Sequence, residues 1–218
     1  MAIIIPAYNE EGRINKVVEE LLNKFPDQDV VVVDDGSQDN TYKEASEHPV
    51  TVLRHVINLG KGAALRTGAK YAQSIEAEHI LFMDGDGQHT LETVPLLLEK
   101  LETYDLVVAC REFNEDMPTM SRIGNKFFTL FSKALFDIDI VDTQSGFRAL
   151  KTSVLDSVMW ETNHYAVETE MLVEAYRNNV NVGTVETQTI YHDDVKGTDP
   201  LHGIKIALNM IYWRLTRW

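Results

Sequence analysis

Val30, Val31, Val32 and Val33 form an unbroken β-branched run that ends on Asp34, Asp35 and Gly36. A strand with no polar residue on either side must be covered on both faces, which points to a parallel sheet between two layers of helices. The rest of the first half obeys that requirement. β-type runs at 2–5, 50–56, 80–83 and 106–109 alternate with stretches of helical period at 10–25, 41–47, 61–74 and 91–101. Between Glu10 and Phe25, for example, Ile14, Val17, Val18, Leu21 and Leu22 fall on one helical face. Such alternation predicts an α/β fold: a Rossmann-like, mostly parallel sheet flanked by helices, with ligands at the carboxyl ends of its strands.

The second half is less regular. A helix is expected at 122–135 with an aromatic stripe of Phe127, Phe128 and Phe131, then a short strand at 147–150. Helices near 152–159 and 166–178, a last strand at 180–185, a polar mobile loop at 192–200 and a closing helix at 201–218 complete the chain. With no internal repeat, low-complexity tract or linker, 218 residues are read as one domain over 1–200 followed by the amphipathic helix 201–218.

A net charge of −14 argues against a nucleic-acid partner, because phosphate backbones are bound by clustered Lys and Arg. The single cysteine, Cys110, excludes an intramolecular disulfide, and its apolar surroundings at 106–110 predict a buried, unreactive thiol. Met1 to Pro6 reads as a first strand rather than a signal peptide. No run approaches the ~20 apolar residues of a membrane span. The expected location is cytoplasmic, with peripheral attachment to the cytoplasmic face of a membrane as an addition.

Chemistry concentrates in three turns. Strand 80–83 delivers Asp84-Gly85-Asp86-Gly87-Gln88-His89, whose carboxylates, spaced i and i+2, share one side. Such oxygen ligands suit Mg²⁺ or Mn²⁺, which complete their shells with phosphate and water; the alternative is a turn whose aspartates and glycines only satisfy backbone geometry. Strand 30–33 delivers Asp34-Asp35-Gly36-Ser37, where Asp35 is expected to face a ligand and Asp39 to cap the following helix. Asn58-Leu59-Gly60-Lys61-Gly62 opens a helix but is neither a dinucleotide fingerprint, because Leu65 stands at its last position, nor a Walker loop. Its small residues Ala63, Ala64 and Gly68 are read as packing positions, with Lys61 the candidate for phosphate contact.

Pro6-Ala7-Tyr8-Asn9-Glu10-Glu11, the Asp-Asp-Gly-Ser turn, Asn-Leu-Gly-Lys-Gly, Asp-Gly-Asp-Gly-Gln-His and Asp142-Thr143-Gln144-Ser145-Gly146-Phe147-Arg148 occur in that order. Together, over about residues 2–195, they resemble the inverting family-2 glycosyltransferases of GT-A fold, and within them the dolichyl-phosphate mannose synthase and polyprenyl-phosphate glycosyltransferase branch. The resemblance implies that Pro6, Tyr8, Glu10 and Asp35 bind the nucleotide, joined by Lys61 and Asp84. It implies a metal, Mg²⁺ or Mn²⁺, held by Asp84, Asp86 and Gln88 at the donor diphosphate, with His89 beside them. Arg111 and Arg122 match arginines that handle phosphate groups, although each could instead form a surface salt bridge. Arg148 reads as structural, holding the acidic loop.

The implied donor is a UDP- or GDP-linked sugar, and the metal offsets charge on its departing diphosphate. A polyprenyl phosphate acceptor is largely ionised at neutral pH, its second pKa being near ~6 as for other phosphate monoesters, and needs positioning rather than a base. A sugar hydroxyl would need a carboxylate base, for which Asp142, Glu168 and Glu170 are candidates. A nucleotide-sugar-binding protein without turnover is the alternative of another class. In the closing helix, Leu201, Ile204, Leu208, Ile211 and Leu215 form an apolar stripe, accompanied by Lys205, Arg214, Arg217, Trp213 and Trp218. Such a helix either lies in a membrane interface or packs on the domain with a solvated outer face.

Overall fold

The structure, a computed structural model, describes residues 1–111, 117, 119–188 and 200–218. Its strands are β1 (Ala2–Ala7), β2 (Asp29–Asp34), β3 (Thr51–Arg54), β4 (His79–Phe82), β5 (Leu106–Arg111), β6 (Arg148–Lys151) and β7 (Val182–Thr187). The helices are α1 (Ile14–Lys24), α2 (Thr41–Ser46), α3 (Lys61–Ser74), α4 (Thr93–Leu101), α5 (Thr119–Phe136), α6 (Val167–Arg177) and α7 (Pro200–Thr216). The loop expected at 192–200 lies outside the described residues as far as 199; Pro200 opens α7.

The strands form one sheet in the order β3-β2-β1-β4-β6-β5-β7. All neighbours are parallel except β6, which runs antiparallel to both β4 and β5. Both faces are covered, as the Val30–Val33 run requires. Ile4, Val31, Val33 and Phe82 point into a core shared with α3, α5, α6 and α7, whereas Ile3, Ile5, Val32 and Leu81 meet α1 and α4 on the other face. The register aligns the strand ends. Ala7 lies opposite Asp34, and Ile4 opposite Phe82, so the segments that follow β1, β2 and β4 emerge along one edge.

Three local differences from the sequence reading have physical causes. The first helix starts at Ile14, not Glu10, because the backbone N–H groups of Asn9, Glu10, Glu11 and Gly12 are taken by Ser37, Thr41, Asp39 and Glu44. That row of bonds locks the loop after β1 onto the start of α2. Residues 152–157 form a 3₁₀ helix rather than an α-helix. On α7 the core-facing residues are Ile206, Met210 and Trp213; of the expected stripe, Ile204, Leu208, Ile211 and Leu215 are left exposed, and the side chain of Leu201 lies outside the described residues. Among the described residues, no helix is long and apolar enough to cross a membrane.

Candidate active site

A cavity of about 500 Å³ opens at the carboxyl edge of the sheet, within the range of pockets that hold molecules of nucleotide size. Its walls come from the three segments that the register brings together. The end of β1 contributes Pro6, Tyr8 and Glu10, the turn after β2 Asp35, and the turn after β4 Asp84 and Asp86. Asn58, Gly60 and Lys61 enter from the N-terminus of α3. Thus every residue assigned to the nucleotide sugar by resemblance meets in one cavity.

Asp35 builds the cavity wall more than it presents a free carboxylate. Its oxygens accept the backbone N–H groups of Leu59 (2.9 Å) and Gly60 (2.7 Å). His55 Nδ1 lies 2.6 Å from the same side chain, while His55 Nε2 lies 2.9 Å from Thr67 Oγ1. Asp35 therefore ties the approach to α3 onto the β2 turn. Asp39 accepts the N–H of Thr41 at the start of α2 (3.0 Å), one place before the position expected of a cap. The glycines of the third turn serve packing. A Cβ on Gly62 would lie 2.2 Å from the carbonyl oxygen of Thr162, and one on Gly68 would lie 2.3 Å from Ile4 Cγ2.

The electrostatic centre is Lys61. Its Nζ lies 2.7 Å from Asp84 Oδ1 and 2.7 Å from Glu168 Oε1. Burial opposes the lysine's charge, but Asp84 and Glu168 outweigh it and raise its pKa above the ordinary lysine range. Burial would likewise raise Asp84; the Lys61 ammonium and His89 overcome it and hold the carboxyl well below the usual range. His89 itself packs against Phe147 in a tilted ring contact, with centroids 4.7 Å apart. Across the cavity, burial pushes Glu10 up, Arg13 partly offsets this at 2.8 Å, and the charge of Asp86 adds to the rise.

This donor set fits a hard divalent cation. Asp86 is half-buried at the cavity wall, where its Oδ1 accepts the N–H of Gln88 at 3.0 Å. Glu10 is raised chiefly by its own burial, and the nearby Asp86 carboxylate adds to the rise, so two acidic side chains share this part of the cavity. Among the described residues, no three His, Cys, Asp or Glu side chains form a metal cage by themselves. Mg²⁺ or Mn²⁺ would need only one or two carboxylates here, with substrate phosphate filling other positions. Of the three residues expected around a metal, Asp84 and Asp86 line the cavity, and Gln88 is not part of its wall.

Arg111, Asp142 and Arg122 are also not part of that wall. Arg111 ends β5 and grips buried Asp142 with two side-chain bonds, Nε to Oδ2 at 2.6 Å and Nη2 to Oδ1 at 2.9 Å. Gln144 donates its N–H to Asp142 as well, at 3.2 Å. Arg122 sits half-buried on α5. Arg148 is buried and donates to the carbonyl oxygens of Thr143, Ser145 and Glu168, so it does hold the loop after Asp142; burial pushes its pKa down to about 10. Cys110 is buried beside this cluster, and burial raises its thiol to about 11. Arg13, Asn58, His164 and Tyr165 also line the cavity and carried no assignment from sequence. Asn58 lies inside a motif already recognised, whereas His164 and Tyr165 arrive from a distant loop with no local signal.

Comparison with known proteins gives this geometry a context. Residues 2–159 match the family described as Glycosyl transferase family 2. The chain is 31% identical over 240 residues to the UDP-N-acetylglucosamine–dolichyl-phosphate N-acetylglucosaminyltransferase of Methanococcus voltae, covering 98% of this chain and 95% of that protein. It is 26% identical to the undecaprenyl-phosphate mannosyltransferase of Micrococcus luteus, covering 99% and 92% respectively. Among solved structures, glucosyl-3-phosphoglycerate synthase from Mycobacterium tuberculosis, in complex with Mn²⁺, UDP and phosphoglyceric acid, superposes with a TM-score of 0.75. At 19% identity over 99% of this chain and 78% of that one, the likeness concerns the fold, which is GT-A.

Proposed function

The chain belongs to glycosyl transferase family 2, and from that premise we propose that it moves a sugar from a UDP- or GDP-linked donor to a polyprenyl phosphate, assisted by Mg²⁺ or Mn²⁺. The observation that carries this reading is the meeting of Lys61, Asp84 and Asp86 in one nucleotide-sized cavity. The relatives named for dolichyl phosphate and undecaprenyl phosphate, aligned over nearly their whole length, support the acceptor class. Residues 1–200 supply the catalytic domain, and 201–218 the helix that closes it.

Each residue has a task set by charge. Pro6, Tyr8 and Glu10 flank the base and ribose. Lys61 stands at the N-terminus of α3, where backbone N–H groups and a cation together favour phosphate. A divalent cation, when bound, neutralises the charge that grows on the leaving diphosphate. Asp84 and Asp86 would hold that ion. Arg111, fixed by Asp142, and Arg122 steer anionic groups of donor or acceptor.

The carboxylates favour a phosphate acceptor over a hydroxyl. Asp142 is engaged by Arg111, and Glu168 by Lys61. Glu170 accepts the N–H groups of Glu161 and Thr162 and pairs with Arg217 at 2.7 Å. A base must reach the acceptor's proton with a carboxylate oxygen, and the oxygens of each of these are already engaged by partners within the protein. An acceptor already ionised removes the need for one.

A panel of UDP- and GDP-sugars with Mg²⁺ or Mn²⁺, with and without polyprenyl phosphate, tests the reading. Metal-dependent transfer to the lipid phosphate is expected. Transfer confined to hydroxyl acceptors would overturn the acceptor, and donor binding without turnover would overturn the enzymatic role.

A further inference from the structure

We propose that α5 and α7 together form a docking face for an anionic lipid bilayer. The inference deepens the acceptor reading by naming the surface that brings a lipid-borne acceptor to the cavity, but it stands on exposure and charge. On α5, Met120 (74% exposed), Ile123, Phe127 and Leu130 line one face; on α7, Ile204, Leu208 (60%), Ile211 and Leu215 (80%) do the same. Neither row is needed for folding, because each helix buries a different row. Phe128 and Phe136 of α5 and Ile206, Met210 and Trp213 of α7 enter the same core.

The two helices lie side by side. Gly203 abuts the Phe128 ring, and Phe136 meets Trp218 edge-on at 5.3 Å. With their inner rows in one core, their apolar outer rows face the same way. Contiguous exposed apolar rows on adjacent helices exceed the scattered surface residues that need no explanation.

Charge selects the occupant. The chain has 34 acidic and 20 basic residues, yet α5 and α7 contain no acidic residue and carry Arg122, Lys126, Lys133, Lys205 and Arg214. Lys126, Lys205 and Arg214 are exposed, while Lys133 pairs with Asp139. Basic residues flanking an exposed apolar face match anionic headgroups above acyl chains. The acidic remainder of the molecule is screened beyond roughly 8 Å at physiological salt. A second copy fits worse, since an isologous contact sets this basic face against itself. Trp213 is buried, and Arg217 is committed to Glu161, Glu170 and Glu174, so neither serves the bilayer.

The face also reaches the cavity. Tyr165 lines the cavity and meets His202, in the first turn of α7, in a tilted ring contact with centroids 4.8 Å apart. A lipid phosphate at the edge of the docked face is thereby brought beside the donor.

The test is co-sedimentation of the full chain with vesicles of phosphatidylcholine alone or mixed with phosphatidylglycerol, comparing the native protein with Leu130→Glu/Leu208→Glu. Both substituted side chains are exposed, and circular dichroism verifies the fold. The native chain should bind anionic vesicles about tenfold more tightly than neutral ones, and the variant about tenfold more weakly than the native chain. Transfer to a short, water-soluble prenyl phosphate should be unchanged in the variant. Absence of binding to anionic vesicles, or equal binding by native and variant chains, overturns the docking face. So does a native dimer in sedimentation equilibrium that the double substitution dissolves, since the face would then belong to a second copy. Vesicle binding without any transfer to a prenyl phosphate supports the face and overturns only the acceptor.

Discussion

Lys61 Nζ lies 2.7 Å from Asp84 Oδ1, and the same nitrogen reaches Glu168 on α6, so one cation joins the turn after β4 to α6. Replacing it by methionine leaves two neighbouring carboxylates without their counter-charge. Removing one member of a fully buried pair costs ~3–5 kcal/mol; with a fifth of the Lys61 side chain still exposed, we expect about 2–4 kcal/mol from urea unfolding. The difference should depend on pH. The folded pKa of Asp84 is depressed, so its contribution is complete above the unfolded value of ~3.9 and fades as pH falls below it. Lys61→Met should thus be most harmful at neutral pH and approach the native chain in acid. A gap that stays constant from pH 7 into strong acid would show that the ion pair is not its source.

Asp86 tests the metal. Its side chain is half-buried and, among the described residues, accepts the N–H of Gln88, so Asp86→Ala should cost about 1 kcal/mol of stability. Loss of charge stabilisation at the leaving group should lower turnover by ~10²–10³. Independently of turnover, Mn²⁺ titrated in the presence of UDP and followed by electron paramagnetic resonance should bind at least ~10-fold more weakly. Unchanged Mn²⁺ affinity would remove Asp86 from the metal site.

Asp142→Asn separates a base from a positioning residue. The amide keeps the volume but loses the charge that holds Arg111 at 2.6 and 2.9 Å, a loss of ~1.5–3 kcal/mol for hydrogen bonds to charged groups. If Asp142 positions Arg111, turnover falls while the acid limb of the pH–rate profile stays in place. Disappearance of that limb would make Asp142 the base and revive a hydroxyl acceptor.

What the sequence disclosed was whatever is encoded locally. The Val30–Val33 run specified a strand covered on both faces, and the ordered motifs named the residues that now meet in the cavity. Long-range pairing left no such trace. β6 is inserted antiparallel between β4 and β5, although the run at 148–151 looks like any short strand. His164 and Tyr165 reach the cavity only because Gly60 and Gly62 let the loop at 162–164 approach within contact. On α7 two apolar rows coexist, so periodicity identified a stripe without telling which one the core takes. The partners of Asp35 and Asp142 were equally invisible, since a carboxylate that faces a ligand and one that braces a loop have the same letter.

Gly68 decides between the two readings of the turn that opens α3. A Cβ there would come within 2.3 Å of Ile4 Cγ2 and 3.2 Å of Val33 Cγ2, both branched methyl groups on buried central strands that cannot swing aside. Gly68→Ala should therefore cost about 1–3 kcal/mol through overpacking. Gly124, inside α5, is the control: among the described residues nothing lies within 4 Å of its added Cβ. Gly124→Ala should stabilise by about 0.5–1 kcal/mol through helix propensity. Thermal unfolding of the two variants should therefore move in opposite directions, with the donor KM of each, measured below its transition, close to native. A Gly68→Ala protein of native stability whose donor KM rose would instead make this glycine a point of close approach to phosphate.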